Sequence, residues 1–464
     1  MRPNFLFVVS DQHRGDWTDW SGASFVRTPN LSRLAEAGTV FADAICPAPL
    51  CAPSRICMAR GQNYGRATSD CKNGVALDND GLLPMDEENL YARLQQSGYA
   101  VAACGKSDLR KEDQSWGRDG QHMSGGRSVW NALGFTHGLD SAGKHDGIWA
   151  AEAGIPEPYL SFLADHGLDK VHLDDFAGRP FPNYRNTDPT KLPDFAYGDN
   201  YVAASAEAIM REFAGGEKPW FLQVNFRGPH EPMDITESMK DGQNGRTYPP
   251  LRNGTDITEE KYHKIARNYV AMIENIDARV GAFLDLLEET GQLENTVIIY
   301  TSDHGEMLGE NGKWGKLVPY SPSVGVPMVF YGPGVGTGTV NQPVSLIDLA
   351  PTFLEIAGAN QLSKGDGVSL APYLRGEETS GDEPVRVSGM GPWRSIQDED
   401  YKLIVGYVPT ITNPEIRAGR WDGQLTAPML FDRRNDPHEE HNIADANPAI
   451  VEKLFGRLVQ EFTA

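Results

Sequence analysis

The sequence predicts an α/β fold, with one large unit built around a sheet and a smaller unit at the C-terminus. Four short apolar runs have the length and composition of buried strands, and segments with helical periodicity lie between them. From about Val385 the pattern changes to short strands followed by a last helix. With 464 residues, 40% of them hydrophobic, the chain can bury a core of that size.

Each apolar run leads directly into a loop with polar residues. The runs cover residues 5–10, 99–104, 220–226 and 296–300, and the loops after them contain Asp11-Gln12, Gly105-Lys106, Pro229-His230 and Ser302-Asp303-His304-Gly305. In an open α/β sheet, ligands bind outside the carboxyl ends of the strands. We therefore expect the four loops to share one cleft.

Two helices and one insertion are predicted between these runs. Residues 28–38 indicate a capped helix that ends at a glycine, and residues 259–290 indicate a long amphipathic helix packed on the sheet. Residues 110–200 are rich in Gly, His, Trp and Pro and have weak periodicity. We expect an insertion of loops and short helices there, at the rim of the site.

The change of pattern near Val385 predicts the domain organisation. Residues 1–384 would form the catalytic α/β unit, and residues 385–464 a small C-terminal unit. Residues 401–405 indicate a strand and residues 448–462 a last helix, which suits an antiparallel sheet covered by one helix.

The run Cys51-Ala52-Pro53-Ser54-Arg55 is the most informative pentapeptide in the chain. It places a thiol in a turn that contains a proline, four residues ahead of an arginine. Alone this pentapeptide would be weak evidence for a functional site, because a five-residue pattern arises by chance and buried free cysteines are common. The motifs that follow the apolar runs give it weight.

Taken in order, these motifs resemble those of the type I, formylglycine-dependent sulfatases of the alkaline phosphatase superfamily. The resemblance covers nearly the whole chain, from Asp11-Gln12 and the Cys51 pentapeptide through Gly105-Lys106, Pro229-His230, Ser302-Asp303-His304-Gly305-Glu306 and Trp314-Gly315-Lys316 to Leu430-Phe431-Asp432 and Asn435-Asp436-Pro437. It implies an alkaline phosphatase-like α/β/α sandwich with a small C-terminal subdomain of antiparallel sheet and helix.

The resemblance also implies the chemistry. Cys51 would be oxidised to formylglycine by a formylglycine-generating enzyme. One hydroxyl of the aldehyde hydrate would attack the ester, and deprotonation of the second would expel the bound oxyanion and regenerate the aldehyde. The substrate would be a small sulfate monoester.

Two further positions are implied to bind substrate, and one of them departs from the family pattern. These positions are Asn73 and Asp108. Asn73, like Asp11-Gln12, resembles the choline sulfatase and phosphonate monoester hydrolase branches. Asp108 stands where many sulfatases have a histidine, two residues after Lys106.

Oxygen donors at the strand ends predict a hard divalent cation. Asp11, Gln12 and Asp303 supply such donors, which suit Ca²⁺, with Mg²⁺ and Mn²⁺ left open and Zn²⁺ poorly matched. The resemblance adds His304 and the modified Cys51 to the metal ligands and makes calcium the expected ion. We expect replacement of Asp303 to leave the fold largely intact, since a cleft residue is not a core contact.

The remaining roles follow from charge and acidity. Lys106 and Lys316 can hold the nonbridging oxygens of the sulfate, whereas Lys313 is expected to be solvated. Arg55 can pair with the hydrate and keep it ionised. His230 is the expected proton donor to the leaving alcohol, because imidazole titrates near ~6.5.

Composition excludes few partners. The formal charge of −22 disfavours nucleic acid, because like charges repel. No apolar stretch approaches the ~18 residues of a membrane span, and no signal peptide is visible, so the expected compartment is the cytoplasm. The five cysteines show no paired spacing, so we expect neither a disulfide framework nor a zinc site. A homo-oligomer is left open.

Two other functions remain open at this point. The same hydrate could cleave phosphonate monoesters or phosphodiesters, although Lys106 favours sulfate because the phosphonate branch usually has a hydroxyl residue there. A catalytically silent binder of sulfated ligands is disfavoured by the intact nucleophile, metal and lysine positions.

Overall fold

The computed structural model describes residues 2–69, 83–110, 116–124, 126–182, 184–254, 257–377 and 385–463. The strands in these ranges are β1 (Asn4–Asp11), β2 (Thr39–Phe41), β3 (Ala44–Ile45), β4 (Ala100–Gly105), β5 (Met123–Ser124), β6 (Arg127–Ser128), β7 (His137–Asp140), β8 (Trp220–Pro229), β9 (Thr296–Ser302), β10 (Gly325–Val326), β11 (Met328–Tyr331), β12 (Gly338–Val340), β13 (Val344–Ser345), β14 (Arg386–Met390), β15 (Trp393–Gln397), β16 (Tyr401–Val405) and β17 (Met429–Asp432).

The helices in the same ranges are α1 (Pro29–Ala37), α2 (Cys51–Arg60), α3 (Tyr64–Ser69), α4 (Leu90–Gln96), α5 (Val129–Leu133), α6 (Lys144–Glu152), α7 (Pro158–Asp165), α8 (Asp169–Ala177), α9 (Gly198–Ala214), α10 (Glu237–Asp241), α11 (Glu259–Glu289), α12 (Ser321–Val324), α13 (Leu349–Ile356), α14 (Ala371–Leu374), α15 (Asn413–Ala418) and α16 (Pro448–Thr463). None of these helices is long and apolar enough to cross a lipid bilayer.

An eight-stranded mixed sheet forms the centre of the large unit. Its order is β12-β2-β11-β9-β1-β8-β4-β7, and the five neighbouring strands from β9 to β7 run parallel. All four strands predicted from the apolar runs are among these five. Their carboxyl ends therefore lie at one edge of the sheet, as the sequence predicted.

Helices cover both faces of this sheet, because its central strands bury side chains on both sides. Along β1, Phe5 and Phe7 pack on the layer that contains α2, α4 and α13. Leu6 and Val8 pack on the opposite layer of α1, α9 and α11. The predicted α/β/α sandwich is confirmed, and the burial on both faces explains why β1 is apolar without alternation.

The long predicted helix is confirmed as α11, and it also determines where α1 begins. Thr28, before α1, makes no side-chain capping hydrogen bond. The predicted cap is therefore wrong. Instead Asp277 of α11 places Oδ1 2.7 Å from the Leu31 amide and accepts a hydrogen bond from it. A long-range contact replaces the local one.

The predicted insertion contains the short helices α5 to α8 and also the edge strand β7. The sequence did not predict β7, because His137-Gly138-Leu139-Asp140 has a single apolar residue and no alternation. Its pairing with β4 is what makes it a strand. Asp140 then lies beside the loop that follows β4.

The C-terminal unit is an antiparallel sheet, β14-β15-β16-β17, covered by α16. One face of the sheet packs under α16, and the other contributes Trp393, Ile404 and Phe431 to the core of the large unit. The Trp393 indole donates to the Leu317 carbonyl at 2.8 Å. The predicted boundary at residues 384 and 385 adjoins residues outside the described ranges and stays a prediction.

The end of β4 depends on a glycine. Gly105 has a φ of +89°, and a Cβ there would lie 2.0 Å from the Asn225 carbonyl oxygen on β8. Only glycine allows β4 to approach β8 this closely at the point where Lys106 enters the site.

We expect Gly105→Ala to separate the ends of β4 and β8. Gly154→Ala is the matched control, because Gly154 also has a positive φ (+68°) but no atom within 4 Å of the added Cβ. Both variants should lose about 1–2 kcal/mol for the left-handed backbone. Gly105→Ala should lose about 1–3 kcal/mol more for the steric clash, measured by urea unfolding. Equal losses would contradict the packing argument.

Candidate active site

Four strand ends meet around the first turn of α2. Asp11 ends β1, Lys106 follows β4, His230 follows β8 and Asp303 follows β9. The structure brings these residues together with Cys51, the first residue of α2. The shared cleft predicted from the order of the motifs is therefore present.

The Cys51 thiol lies in a shell of basic side chains. Its sulfur is 3.3 Å from Lys106 Nζ, 3.3 Å from Lys316 Nζ and 3.3 Å from His304 Nε2. Burial and Asp11 raise the pKa of Cys51, but the two lysines and His304 outweigh them and hold it well below its usual value. The site therefore stabilises a negative charge at residue 51.

Arg55 lies one helical turn after Cys51 and faces the strand ends. Its Nε donates to Asp303 Oδ2 at 2.8 Å, and Nη1 donates to the Lys106 carbonyl at 2.5 Å and to Asn225 Oδ1 at 2.9 Å. Nη2 lies 3.9 Å from Asp11 Oδ2 and has no hydrogen-bond partner among the described residues. That nitrogen is the donor left for a ligand.

Asp11, Cys51, Asp303 and His304 form a buried group that could hold a metal ion. One ligand atom from each lies within 4.8 Å of the others. His304 Nδ1 lies 2.9 Å from the Gly305 carbonyl, which can only accept a hydrogen bond. Nδ1 therefore carries a proton, and Nε2 is the ring nitrogen that faces the group and could act as a ligand.

Gln12 is oriented by carboxylates that the sequence did not predict as site residues. Its Nε2 donates to Glu306 and, at 2.8 Å, to Glu231. Its Oε1 accepts from Lys316 Nζ at 2.6 Å. Because carboxylates only accept hydrogen bonds here, the amide oxygen must point towards Lys316. Glu306 belongs to the Asp-His-Gly-Glu motif, and Glu231 directly follows His230. Both glutamates could therefore have been found from their proximity in the sequence to predicted site residues.

His230 is held as a cation by its neighbour. Its Nδ1 lies 3.0 Å from Glu231 Oε2. Burial lowers the pKa of His230, but Glu231, helped by Asp11, outweighs burial and raises the pKa to about 10. The imidazole is therefore protonated at neutral pH, as a proton donor must be.

Lys106 is fixed from two sides. It donates to Asp11, and its Nζ lies 3.4 Å from the carboxylate of Asp108. Burial lowers the pKa of Lys106, but Asp108 and Asp11 hold it well above its usual value. Asp108, only 3% exposed, thus balances the charge of Lys106. Its predicted contact with substrate stays a prediction.

Asp140 of β7 supports the same loop and was not predicted from the sequence. It accepts from the Ser107 amide at 2.8 Å and from the Trp116 indole at 3.1 Å, and it contacts His122 Nε2 at 2.6 Å. In the sequence, only its position at the end of β7 could have marked Asp140, and the residue pattern did not predict that strand. Asn73, predicted to bind substrate, lies outside the described residues.

Comparison with protein families decides the class. The family model described as Sulfatase matches residues 3–359. The chain belongs to the sulfatase family. A second model, described as N-sulphoglucosamine sulphohydrolase, C-terminal, matches residues 309–463. The predicted resemblance is confirmed: the protein is a type I sulfatase of the alkaline phosphatase superfamily and an enzyme.

Individual relatives agree with this assignment. The sulfatase is 27% identical to a choline-sulfatase of Rhizobium meliloti (strain 1021), over 96% of this chain and 83% of the relative. It is 26% identical to an arylsulfatase K of Danio rerio, over 98% of this chain and 82% of the relative. A crystal structure of a phosphonate monoester hydrolase of Agrobacterium radiobacter matches with a TM-score of 0.74 and 20% identity, over 99% of this chain and 95% of the other. That last likeness concerns the fold.

The structure contradicts the reason for expecting that replacement of Asp303 would leave the fold largely intact, because Asp303 is a buried contact and not an exposed cleft residue. Asp303 and Arg55 are both fully buried and form an ion pair. Removing the carboxylate would leave the buried guanidinium charge with Asp11, 3.9 Å away, as its remaining anionic neighbour among the described residues.

We expect Asp303→Ala to lower the free energy of unfolding by about 3–5 kcal/mol, measured by urea denaturation in the presence of a chelator. The chelator removes any contribution from a bound metal. Asp174→Ala is the control, because it breaks an ion pair with Lys170 whose side chains are 80% and 66% exposed, and it should cost less than about 1 kcal/mol. A loss as small as the control's would contradict the structural role.

Proposed function

We propose that this sulfatase hydrolyses sulfate monoesters with residue 51, converted from cysteine to formylglycine, as the nucleophile and with a bound Ca²⁺. One observation carries the proposal: three basic side chains lie 3.3 Å from the Cys51 sulfur, and two carboxylates lie beside it. A lone structural cysteine does not need such surroundings, because burial favours the neutral thiol.

The position of residue 51 suits this modification. Cys51 begins α2, and Pro53 lies in the first turn, where proline is tolerated because the first amides lack helical partners. As formylglycine, the residue supplies a hydrate hydroxyl that bonds to sulfur while the ester oxygen leaves as the alcohol. The Cys51 sulfur marks where that hydroxyl group would lie.

The donor set supports a hard cation. Asp11 and Asp303 would provide carboxylate oxygens and His304 its Nε2, and Gln12 would add an amide oxygen. Unmodified Cys51 would add a soft sulfur ligand, which favours zinc, whereas its oxidised form adds oxygen, which favours Ca²⁺. The cation would withdraw charge from the hydrate and the sulfate oxygens. Mg²⁺ and Mn²⁺ share the preference for oxygen and are the alternatives.

Lys106 and Lys316 are positioned to hold the nonbridging oxygens of the sulfate. Each ammonium group is oriented by a second contact, Lys106 by Asp11 and Lys316 by Gln12. Such fixed charges need little reorganisation as negative charge shifts in the transition state. Arg55 would add Nη2 as a donor to the ionised hydrate.

His230 would protonate the leaving alcohol. Its ring is 14% exposed, so it borders the open side of the site, and Glu231 keeps it protonated. The proton would pass from the imidazole to the bridging oxygen as the sulfur–oxygen bond breaks, which avoids release of an alkoxide.

A phosphonate monoester or phosphodiester hydrolase is the second candidate, because the shared fold extends to a solved phosphonate monoester hydrolase. Lys106 favours sulfate, since that branch usually has a hydroxyl residue there. Replacing Lys106 would not isolate the preference, because Asp11 and Asp108 would lose their common cation. Direct comparison of substrates is the cleaner test.

We expect protein produced with a formylglycine-generating enzyme to hydrolyse 4-nitrophenyl sulfate faster than a 4-nitrophenyl phosphonate ester. Mass spectrometry of the tryptic peptide should show the aldehyde or its hydrate at residue 51. Cys51→Ala should abolish turnover, and Cys57→Ala, which alters a buried core cysteine, should retain it if folded. Active enzyme with only unmodified cysteine would refute the mechanism, and a preference for the phosphonate would favour the second candidate.

We expect activity to require a hard cation. Elemental analysis of active protein should give about one Ca²⁺ per chain, and exhaustive chelation should abolish turnover until Ca²⁺ is restored. Stoichiometric zinc in the active protein, with no calcium, magnesium or manganese, would refute the proposed ligand set.

A further inference from the structure

The loop that carries His230 follows an irregular stretch of β8. Val9 of β1 pairs with Asn225 of β8, but the next pair joins Asp11 to Pro229. Between these two pairs β8 contains two more residues than β1, so its backbone leaves the regular ladder just before His230. Backbone amides in such a stretch need acceptors from elsewhere, because buried amides without a partner are costly.

Asp199 supplies that acceptor from another element. It is the second residue of α9 and is only 1% exposed. Its Oδ1 accepts a hydrogen bond from the Arg227 amide at 2.7 Å and another from the Gly228 amide at 3.2 Å. One side chain of α9 therefore holds the two residues of β8 that precede Pro229 and His230.

The contact between Asp199 and β8 is close. A Cβ at Gly228 would lie 2.5 Å from Asp199 Oδ2, so the carboxyl group can approach the strand from this side only because residue 228 has no side chain. Oδ2 itself has no hydrogen-bond partner among the described residues. Burying this oxygen opposes folding, so stability alone does not account for an aspartate here.

The far end of the His230 loop is held by a second buried side chain. Lys144, the first residue of α6, donates to the Pro232 carbonyl at 3.2 Å and to Asp234 Oδ1 at 2.7 Å. Pro232 lies two residues after His230, and Gly228 lies two residues before it. Because the far end is fixed, the position of His230 depends on the end that Asp199 holds.

His230 lies at the side of the site where a leaving alcohol has room. A cavity of about 480 Å³ adjoins the catalytic group, and its lining includes Lys316 and Glu231, the residue after His230. This volume lies within the range of small-molecule sites. Proton transfer needs donor and acceptor atoms at roughly 2.6–3.2 Å. A shift of ~1 Å in the imidazole is therefore enough to impair it.

We propose that Asp199 is a positioning residue for proton donation: it fixes the end of β8 so that the imidazole of His230 reaches the leaving oxygen. The proposal rests on the role of His230 in the proposed function and adds a residue that does not touch the substrate. The proton passes from His230 to the ester oxygen as the sulfur–oxygen bond breaks, and Asp199 neither gains nor loses a proton. Loss of Asp199 should therefore matter most for leaving groups that need this proton.

The test measures kcat/KM of the matured enzyme on para-substituted phenyl sulfates. The 4-nitrophenolate anion leaves readily without a proton, whereas the more basic 4-methoxyphenolate needs one. We expect Asp199→Ala to lower kcat/KM for 4-methoxyphenyl sulfate about tenfold more than for 4-nitrophenyl sulfate. Asp199→Asn should recover most of this difference, because its amide oxygen can still accept from the two backbone amides.

Asp277→Ala is the matched control. Asp277 is also buried, and its carboxylate also accepts from two backbone amides, those of Asn30 and Leu31. These amides belong to α1, which carries none of the proposed site residues. Both variants should lower the free energy of unfolding. Only Asp199→Ala should change the dependence on the leaving group, and the same change in Asp277→Ala would overturn the proposal.

His230→Ala shows whether Asp199 acts through the imidazole. This variant should discriminate between the two esters at least as strongly as Asp199→Ala does. The double variant should discriminate no more than His230→Ala alone, because a positioning residue has no effect once the group that it positions is gone. A further loss confined to 4-methoxyphenyl sulfate in the double variant would contradict the proposal.

Gly228→Ala tests the same contact in a protein that keeps Asp199. The added Cβ would push against Oδ2, so this variant should show the same dependence on the leaving group, and it decides the matter if Asp199→Ala does not fold. If His230→Ala discriminates between the esters but the variants at 199 and 228 lower both rates by one factor, the positioning role is refuted and the role of His230 stands. If His230→Ala does not discriminate either, the proton-donor assignment and the positioning role both fall.

Discussion

The buried guanidinium of Arg55 is the interaction on which the architecture of the site depends. It contacts Asp303 after β9, the Lys106 carbonyl after β4 and Asn225 on β8, and it lies 3.9 Å from Asp11 at the end of β1. One planar cation thus joins the carboxyl ends of four strands to the helix that begins at residue 51. A guanidinium can do this because its five donors lie in a rigid plane, whereas a lysine would offer one point charge.

The remaining charges of the site are balanced in a similar way. Lys106 lies between Asp11 and Asp108, Lys316 donates to Gln12, and His230 pairs with Glu231. Burial and the proximity of Glu231 raise the pKa of Glu306. Burying so many charges opposes folding, so the apolar layers on both faces of the sheet must supply the stability. In return, the dipoles and charges are oriented before a substrate arrives.

The group around Cys51 and the cavity beside it are built largely from different parts of the fold. The residues that we propose act on the sulfate lie mainly at strand ends and in the first turn of α2, where the sheet restricts their movement. The cavity that adjoins these residues is lined by the insertion, the loop containing Trp314 and α15. Because the C-terminal sheet shares Trp393 and Phe431 with the main core, α15 is held at a defined place beside the site. Substrate class can therefore change through these segments while the chemistry is retained.

The sequence by itself determined the strands, the long helix and the candidate site residues that follow the strands, because each is encoded locally. A buried strand needs a continuous apolar run, and the pentapeptide from Cys51 to Arg55 places the thiol and the guanidinium about one helical turn apart. Tertiary structure alone decided the rest. Strand β7 forms because β4 offers a free edge, Asp277 rather than Thr28 satisfies the start of α1, and Gln12 is oriented by Glu231 and Glu306 from two other loops. Arg185 and Arg417 become neighbours of one cavity only when segments more than two hundred residues apart pack together. Such contacts have no local pattern, since their energy comes from partners that folding brings within reach.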